Sequence, residues 1–421
     1  MRKSKKTKSK MRRTAVMLTC VLALAMMSSC GRARSKAYNP QNAECSVSAY
    51  ICTDTHLLSN NLVTDRDEKM VYTTDGRIQK YDYELVDGVV DTVNADKPDY
   101  LVITGDLSFN GERDSHLELV KILDKVTDTK VLVIPGNHDL CNISTVAGDA
   151  TVTPEEFKEI YADYGYSDAM SYDSDSLSYA WKASEDTIFL MLDSTLSKFN
   201  FEENRNITGG FISGITYDWI EGILKEAVSK GQHVVSFMHH NLMDHNSSFV
   251  AGYTIIKNEY VLELFAKYNI TLNFSGHMHI QNISEEEVNG VTIIDVANSS
   301  LLAYSDTLGR LKIYDGGYVY DKISIEPFEG FTKASFDNFV GVNYNKSLER
   351  YRKAYPDKYE EIAAFVYETN ALYFDGDYPQ IHEKMKMNRK LLKYVEKNGN
   401  GYNKDLFTVP NVSQKMLARE W

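Results

Sequence analysis

The sequence predicts an α/β fold, on three observations. Six short apolar runs, at 49–53, 100–104, 130–134, 188–192, 233–238 and 271–274, alternate with amphipathic stretches such as 115–126, 154–164 and 217–230. Alternation of this kind builds sheets whose faces are covered by helices. The composition, 43% hydrophobic and 25% charged over 421 residues, is that of a globular chain and excludes a disordered or multi-spanning one. Polar motifs rich in His, Asp and Asn follow five of the runs at their carboxyl ends, where the loops of an open α/β sheet converge on one rim.

The first 30 residues read as an export signal. Eight cations (Arg2, Lys3, Lys5, Lys6, Lys8, Lys10, Arg12 and Arg13) precede an apolar stretch over 14–27 and then Ser28, Ser29 and Cys30. The stretch is short for a membrane span, which needs about 20 apolar residues. Ser-Ser-Cys resembles a bacterial lipobox, with Met27 where Leu is usual, so Cys30 is the expected point of lipid attachment to a membrane. A plain cleaved signal and an uncleaved anchor are the alternatives, and all three place the chain outside the cytoplasm. No acidic residue balances the leader, so without its eight cations the formal charge of −13 becomes −21. A chain this acidic repels duplex nucleic acid, which argues against a nuclease.

Residues 31–45 are polar and aperiodic, as a tether would be. Cys45, Cys52 and Cys141 remain beyond the leader, an odd count that makes no disulfide framework. They read as free thiols, with a 52–141 bridge as the alternative. Past 279 the pattern turns to β at 290–296, 301–304, 310–314 and 317–325, with a Gly316-Gly317 turn. These read as antiparallel strands that complete the second sheet and close the domain near Pro327. From about 332, apolar and aromatic residues fall at helical spacing over 336–355, 358–373 and 380–397, with breaks at Pro356, Pro379 and Asp375-Gly376-Asp377. The expected domains are a leader (1–30), a tether (31–45), a main domain (46–330) and a separate C-terminal helical module (331–421).

The chemistry lies in the strand-end motifs. They are Asp54-Thr55-His56, Gly105-Asp106, Gly136-Asn137-His138-Asp139, His239-His240 and Gly276-His277-Met278-His279. Carboxylate, imidazole and amide ligands suit Mn, Fe or Zn better than Ca, and no thiolate takes part. A shared carboxylate holds two such ions about 3.5–4 Å apart, and the water between them is acidified towards hydroxide. The His277-x-His279 spacing needs an extended or turning backbone if the two rings are to reach different metals. Gly105, Gly136 and Gly276 let the backbone approach closely or take positive φ.

In this order the five motifs resemble those of the calcineurin-like metallophosphoesterase superfamily, from residue 46 to about 327. The resemblance implies a four-layer α/β/β/α sandwich of two mixed sheets. It implies two transition-metal ions (Mn, Fe or Zn), the first held by Asp54, His56, Asp106 and His279. Asp106, Asn137, His239 and His277 would hold the second, with Asp106 shared. His138 is not a ligand in this scheme and serves the leaving group, while a metal-bridging hydroxide attacks phosphorus in line. Either His239 or His240 can be the ligand of the pair. His239 occupies the family's usual place, which leaves His240 to touch substrate or brace the ligands.

The chain departs from the superfamily's protein phosphatases, where Asp-Arg-Gly follows G-D. Phe109 and Asn110 stand in the Asp and Arg places here, ahead of Gly111. That removes the clamp used on phosphoproteins and leaves Asn110 as an expected hydrogen-bond donor to phosphate. A diester carries less charge than a monoester and loses less with the Arg. The layout also resembles that of bacterial cyclic-nucleotide phosphodiesterases. The expected activity is hydrolysis of small, nucleotide-like phosphodiesters, with a phosphomonoesterase or nucleotidase as the alternative. An inactive binding scaffold is disfavoured because every ligand slot is filled. His116, His233, His245 and His382 read as satisfied structural residues, and Asp139 as an orienting neighbour of its loop. The aromatic stripe Tyr351, Tyr355, Tyr359, Phe365 and Tyr367 reads as core, with a base-stacking cap as the alternative.

Overall fold

A computed structural model of the chain describes residues 37–40, 43–63, 79–247, 250–303, 307–325, 348–399 and 405–421. The leader with Cys30, part of the tether, the boundary at 330 and the first part of the helix expected over 336–355 lie outside the described residues.

Strands β1 (Val47–Cys52), β2 (Tyr100–Thr104) and β3 (Lys130–Ile134) are parallel neighbours, with Ala49 opposite Tyr100 and Tyr100 opposite Lys130. Helices α1 (Asp82–Asp96) and α2 (Arg113–Leu123) make the crossovers that parallel strands require. After α3 (Pro154–Ile160) come β4 (Ser171–Tyr172), β5 (Tyr179–Lys182) and β6 (Thr187–Leu192). Then follow α4 (Gly214–Ser229), β7 (His233–Met238), α5 (Asn258–Lys267) and β8 (Leu272–Ser275). The β-rich stretch supplies β9 (Asn282–Val288), β10 (Val291–Ala297), β11 (Thr307–Tyr314) and β12 (Gly317–Ser324). Helices α6 (Glu349–Ala354), α7 (Tyr359–Phe374), α8 (Tyr378–Met387) and α9 (Arg389–Asn398) precede a last strand, β13 (Met416–Glu420).

Two mixed sheets result, one ordered β13-β12-β11-β1-β2-β3 and the other β4-β5-β6-β7-β8-β10-β9. Side chains alternate across a strand, and β6 divides its own between two cores. Phe189 and Met191 join the core that both sheets share, with Val86 and Val89 of α1 and Leu119 of α2. Ile188, Leu190 and Leu192 join a second core with Leu224 of α4 and Phe265 of α5. A strand buried on both faces reads as one continuous apolar run, which is why β6 was visible in the sequence. The layers are helix, sheet, sheet, helix, as expected.

Several expectations are corrected. Strands β11 and β12 extend the first sheet, through antiparallel pairing of β11 with β1, and do not complete the second. β10 does join the second sheet, but parallel to β8. No strand covers 301–303: Leu301, Leu302 and Ala303 form a buried turn, with Leu302 N donating to Ser300 Oγ at 3.2 Å. A short buried apolar run has no period to separate turn from strand. The stretch at 380–397 is two helices meeting at Asn388. Among the described residues the C-terminal segment is helical to Asn398 and again at Asp405, and its last strand pairs with β12 of the first sheet. Its third core, around Tyr351, Tyr359, Ile362 and Phe365, takes in Met278 and Ile280 from the main domain. Tyr351, Tyr359 and Phe365 are thus core, as expected. Cys52 and Cys141 are buried free thiols and Cys45 an exposed one.

Candidate metal centre

The loops after β1 and β2 continue side by side beyond the sheet. Asp54 N donates to Gly105 O at 3.0 Å, His56 N to Asp106 O at 2.9 Å and Leu57 N to Leu107 O at 3.0 Å. This register brings Asp54, His56 and Asp106 together. The loop after β3 is tied in by the buried carboxylate of Asp139. It accepts from Gly136 N at 2.8 Å, Ser108 N at 2.8 Å, Ser108 Oγ at 2.9 Å and Leu107 N at 3.1 Å. Burial and the neighbouring charge of Asp106 push the Asp139 carboxyl up, to about 7, against those donors. From the second sheet, Gly276 N donates to His239 O at 2.9 Å and links the loops after β7 and β8.

Two groups of side chains converge there: Asp54 with His56 and His279, and Asp106 with His239 and His277. In the first, the Nε2 atoms of His56 and His279 lie 3.3 Å apart, at 3.7 and 3.3 Å from Asp54 Oδ1. In the second, His239 Nε2 lies 3.3 Å from Asp106 Oδ2 and 3.2 Å from Asn137 Oδ1. Asp106 Oδ2 is also 3.6 Å from His56 Nε2, so one oxygen stands between the groups. Its other oxygen accepts from His138 N at 2.9 Å.

The donor set fits a pair of cations. Asp54 Oδ2 takes hydrogen bonds from Thr53 Oγ1 at 2.7 Å and His277 N at 3.0 Å, while Oδ1 is buried without a hydrogen-bond partner and faces the two imidazoles. Among the described residues, the ion pairs of Asp54 and Asp106 are to histidines alone. Two buried carboxylates without Lys or Arg call for positive charge from elsewhere. Burial raises the Asp106 carboxyl, but His239, then His138 and His56, outweigh it and hold the group well below its usual range. His239 responds in kind: burial lowers its imidazole, and Asp106 and Asp54 overcome that to raise it to about 9.

Backbone carbonyls aim the rings. His239 Nδ1 donates to Thr104 O at 2.9 Å, which presents Nε2 to the centre, and His277 Nε2 donates to Gly252 O at 2.8 Å, which presents Nδ1. Sequence reasoning missed Gly252, whose place in a loop between β7 and α5 carries no motif. The backbones of Asp54, His56, Asp106, His277 and His279 all have positive φ, between 39° and 65°. Each such residue costs about 1–2 kcal/mol relative to ordinary backbone, strain that the packing must overcome.

The remaining expected site residues divide. His138 is the partly exposed member of its loop, edge-on to His56 with ring centroids 5.0 Å apart. Its Nδ1 faces Phe109 O at 2.9 Å and the Asn110 amide oxygen at 2.8 Å. Asn110, expected to contact phosphate, has both ends of its side-chain amide bonded to groups of the chain itself. Its oxygen serves His138 and its amide nitrogen donates to Ser144 O at 3.3 Å. His240 is a correction as a substrate contact. It is fully buried, with Nδ1 at 2.8 Å from Ser194 Oγ and Nε2 at 3.0 Å from Thr208 O, so both nitrogens are committed. Burial, then the charges of His277 and His239, pushes its imidazole well below the usual value, and it braces the adjacent loops as a neutral ring. His116 is also buried and neutral, lowered to about 4 by burial, with Nε2 donating to Asp139 O at 3.0 Å and Nδ1 2.8 Å from Tyr161 Oη.

Gly136 has a steric role. A Cβ there would collide with Asp106 N and Oδ1. Gly136→Ala is expected to displace Asp106 and cost about 100-fold in turnover, with metal content falling alongside. An Ala variant with wild-type metal content and rate would show that Asp106 need not be held where it stands.

A probable cyclic nucleotide phosphodiesterase of Coxiella burnetii is 24% identical over 233 residues, covering 54% of this chain and 73% of its own. Among solved structures, a dimetal phosphatase of Danio rerio aligns over 66% of this chain and 96% of its own, at 13% identity and a TM-score of 0.49. A purple acid phosphatase of yellow lupin aligns over 68% and 53%, at 12% identity and 0.44. The family model for the calcineurin-like phosphoesterases matches residues 48–281, a span that runs from β1 past His279. All five strand-end motifs fall within that match, and the chain belongs to this family of metal-dependent phosphoester hydrolases.

Proposed function

We propose that the chain is a dinuclear-metal phosphodiesterase acting on small, nucleotide-like diesters. The observation that carries the reading is the single oxygen of Asp106 standing between two carboxylate–imidazole groups. Asp54, His56 and His279 would hold one ion, and Asn137, His239 and His277 the other, with Asp106 shared. Such a pair supplies an acidified water and neutralises charge on the phosphoryl oxygens. The chain's own residues do the rest. Asp106 orients His138 by accepting from its backbone N–H. Asn110 and the Phe109 carbonyl hold the Nδ1 side of the ring, so that Nε2 is the atom offered to the departing oxygen. Asp139 and His116 fix the loop beneath.

The diester preference is supported by Asn110 in the place of a phosphate-gripping Arg, with its amide bonded to His138 and Ser144 O. The relation to a probable cyclic nucleotide phosphodiesterase points the same way. The leader supports export and attachment to a membrane through Cys30. The purified protein is expected to hydrolyse bis(p-nitrophenyl) phosphate faster than p-nitrophenyl phosphate. It is expected to cleave at least one cyclic nucleotide from a panel of 2′,3′ and 3′,5′ forms. Reversed preference with nucleoside monophosphates as the best substrates would replace this reading with a nucleotidase.

A further inference from the structure

The loop that carries His277 and His279 has two faces. Both histidines turn towards the candidate metal centre, while Met278 and Ile280 between and after them are buried in the core of the C-terminal helices. Gln281 follows and is itself 1% exposed. Its backbone N donates to Phe374 O at the end of α7 at 2.9 Å, and its Nε2 donates to Gln414 O at 2.9 Å. Its Oε1 accepts from Tyr320 Oη of β12 at 3.0 Å. Gln414 answers from the other side: its Oε1 accepts from Ile283 N at 2.8 Å, and its N donates to Gly376 O at 2.9 Å. Gly376, at φ +75°, lets the backbone close on Gln281, where a Cβ would lie 2.9 Å from Gln281 Cγ. Asn282 adds a bond from Nδ2 to Tyr378 Oη of α8 at 2.7 Å.

We propose that the C-terminal helical segment positions the metal centre, holding His277 and His279 through the buried Met278 and Ile280 and through the interlocked pair Gln281 and Gln414. This rests on the reading of those two histidines as ligands. Positive φ at both histidines, 65° and 60°, is a conformation the loop does not adopt on its own. On the metal side, hydrogen bonds to Asp54 and Gly252 restrain His277. The restraint on Met278, Ile280 and Gln281 comes from α7, β12 and the segment at Gln414. A cover that only shielded apolar surface would need neither the interlocked amides nor the hydrogen bonds that tie them to α7, β12 and Ile283.

The test uses the full chain with Mn²⁺ as probe, titrated calorimetrically, and thermal melting in chelator as the measure of the metal-free fold. Gln281→Ala and Gln414→Ala are expected to bind Mn²⁺ about tenfold more weakly, the effect typical of lost ligand support. Their chelator melting temperatures should fall by only a few degrees. Gln414→Glu, which keeps an acceptor for Ile283 N, is expected to recover most of the affinity. If Gln281→Ala does not fold, Gln414→Ala, which leaves the Tyr320–Gln281 bond intact, carries the same expectation. Wild-type Mn²⁺ affinity in the folded Ala variants overturns the inference, since it would mean that the helices only cover the domain. A wild-type chain that binds no Mn²⁺ fails earlier, on the metal reading itself.

Discussion

In Asp106→Asn, turnover falls by at least about 1,000-fold, equal to about 4 kcal/mol of lost transition-state stabilisation. The carboxylate has two oxygens with separate duties: Oδ1 accepts from His138 N, and Oδ2 stands between His56 and His239. An amide can keep only one of them. With its nitrogen at the Oδ2 position, N–H would face any cation held beside His56 and His239; with its nitrogen at Oδ1, two donors face each other at His138. Either way the charge shared by the two groups is lost, so metal content should drop from two ions per chain towards one or none. Elemental analysis of the purified variant reads this directly. Asp106→Asn with two ions and wild-type turnover would reject the shared-carboxylate site.

His138→Ala shows the opposite pattern. The ring contributes no atom to either metal group, so two ions should remain, while the chemical step slows by about 100- to 10,000-fold, the range for a lost general acid. The loss should depend on the leaving group. Esters of p-nitrophenol, whose anion departs without a proton, should suffer less than alkyl or nucleoside esters. Asn110→Ala should show a milder version of the same dependence, because Nδ1 keeps the Phe109 carbonyl as an acceptor. Equal losses for good and poor leaving groups, or a fall in metal content in His138→Ala, would remove the role assigned to His138.

Most of the site was legible because its residues follow strands whose own signal is strong. β2, β3 and β7 were bounded correctly from apolar runs, and each delivers a motif to the rim. Residues that act through the backbone left no such trace. The carbonyl of Gly252 aims His277, and nothing in the type of residue 252 announces it. His240 resembled a site residue by adjacency, yet a strand-end loop turns consecutive side chains in different directions, and this one faces Ser194 and Thr208. In the fold, α1 was missed although Leu85, Val86, Val89, Val90 and Val93 fall at helical spacing, because a Val-rich stretch with Gly88 has weak helix propensity. β9 was missed because Glu285, Glu286 and Glu287 are poor strand formers, tolerated here on a sheet edge. β13 was missed because partners remote in sequence define it.

Each candidate metal group draws on both ends of the domain. His56 and His279 are 223 positions apart, and Asp106 meets His239 and His277 from a different sheet. A chain emerging from its amino end therefore owns Asp54, His56 and Asp106 long before it owns any of the later histidines. β1, moreover, waits for β11 to become its neighbour. Such remote pairings form late in folding. Neither triad exists on a half-folded chain, so ions cannot be captured piecemeal along the way. Any ion the centre takes is therefore taken up only after the two sheets have docked.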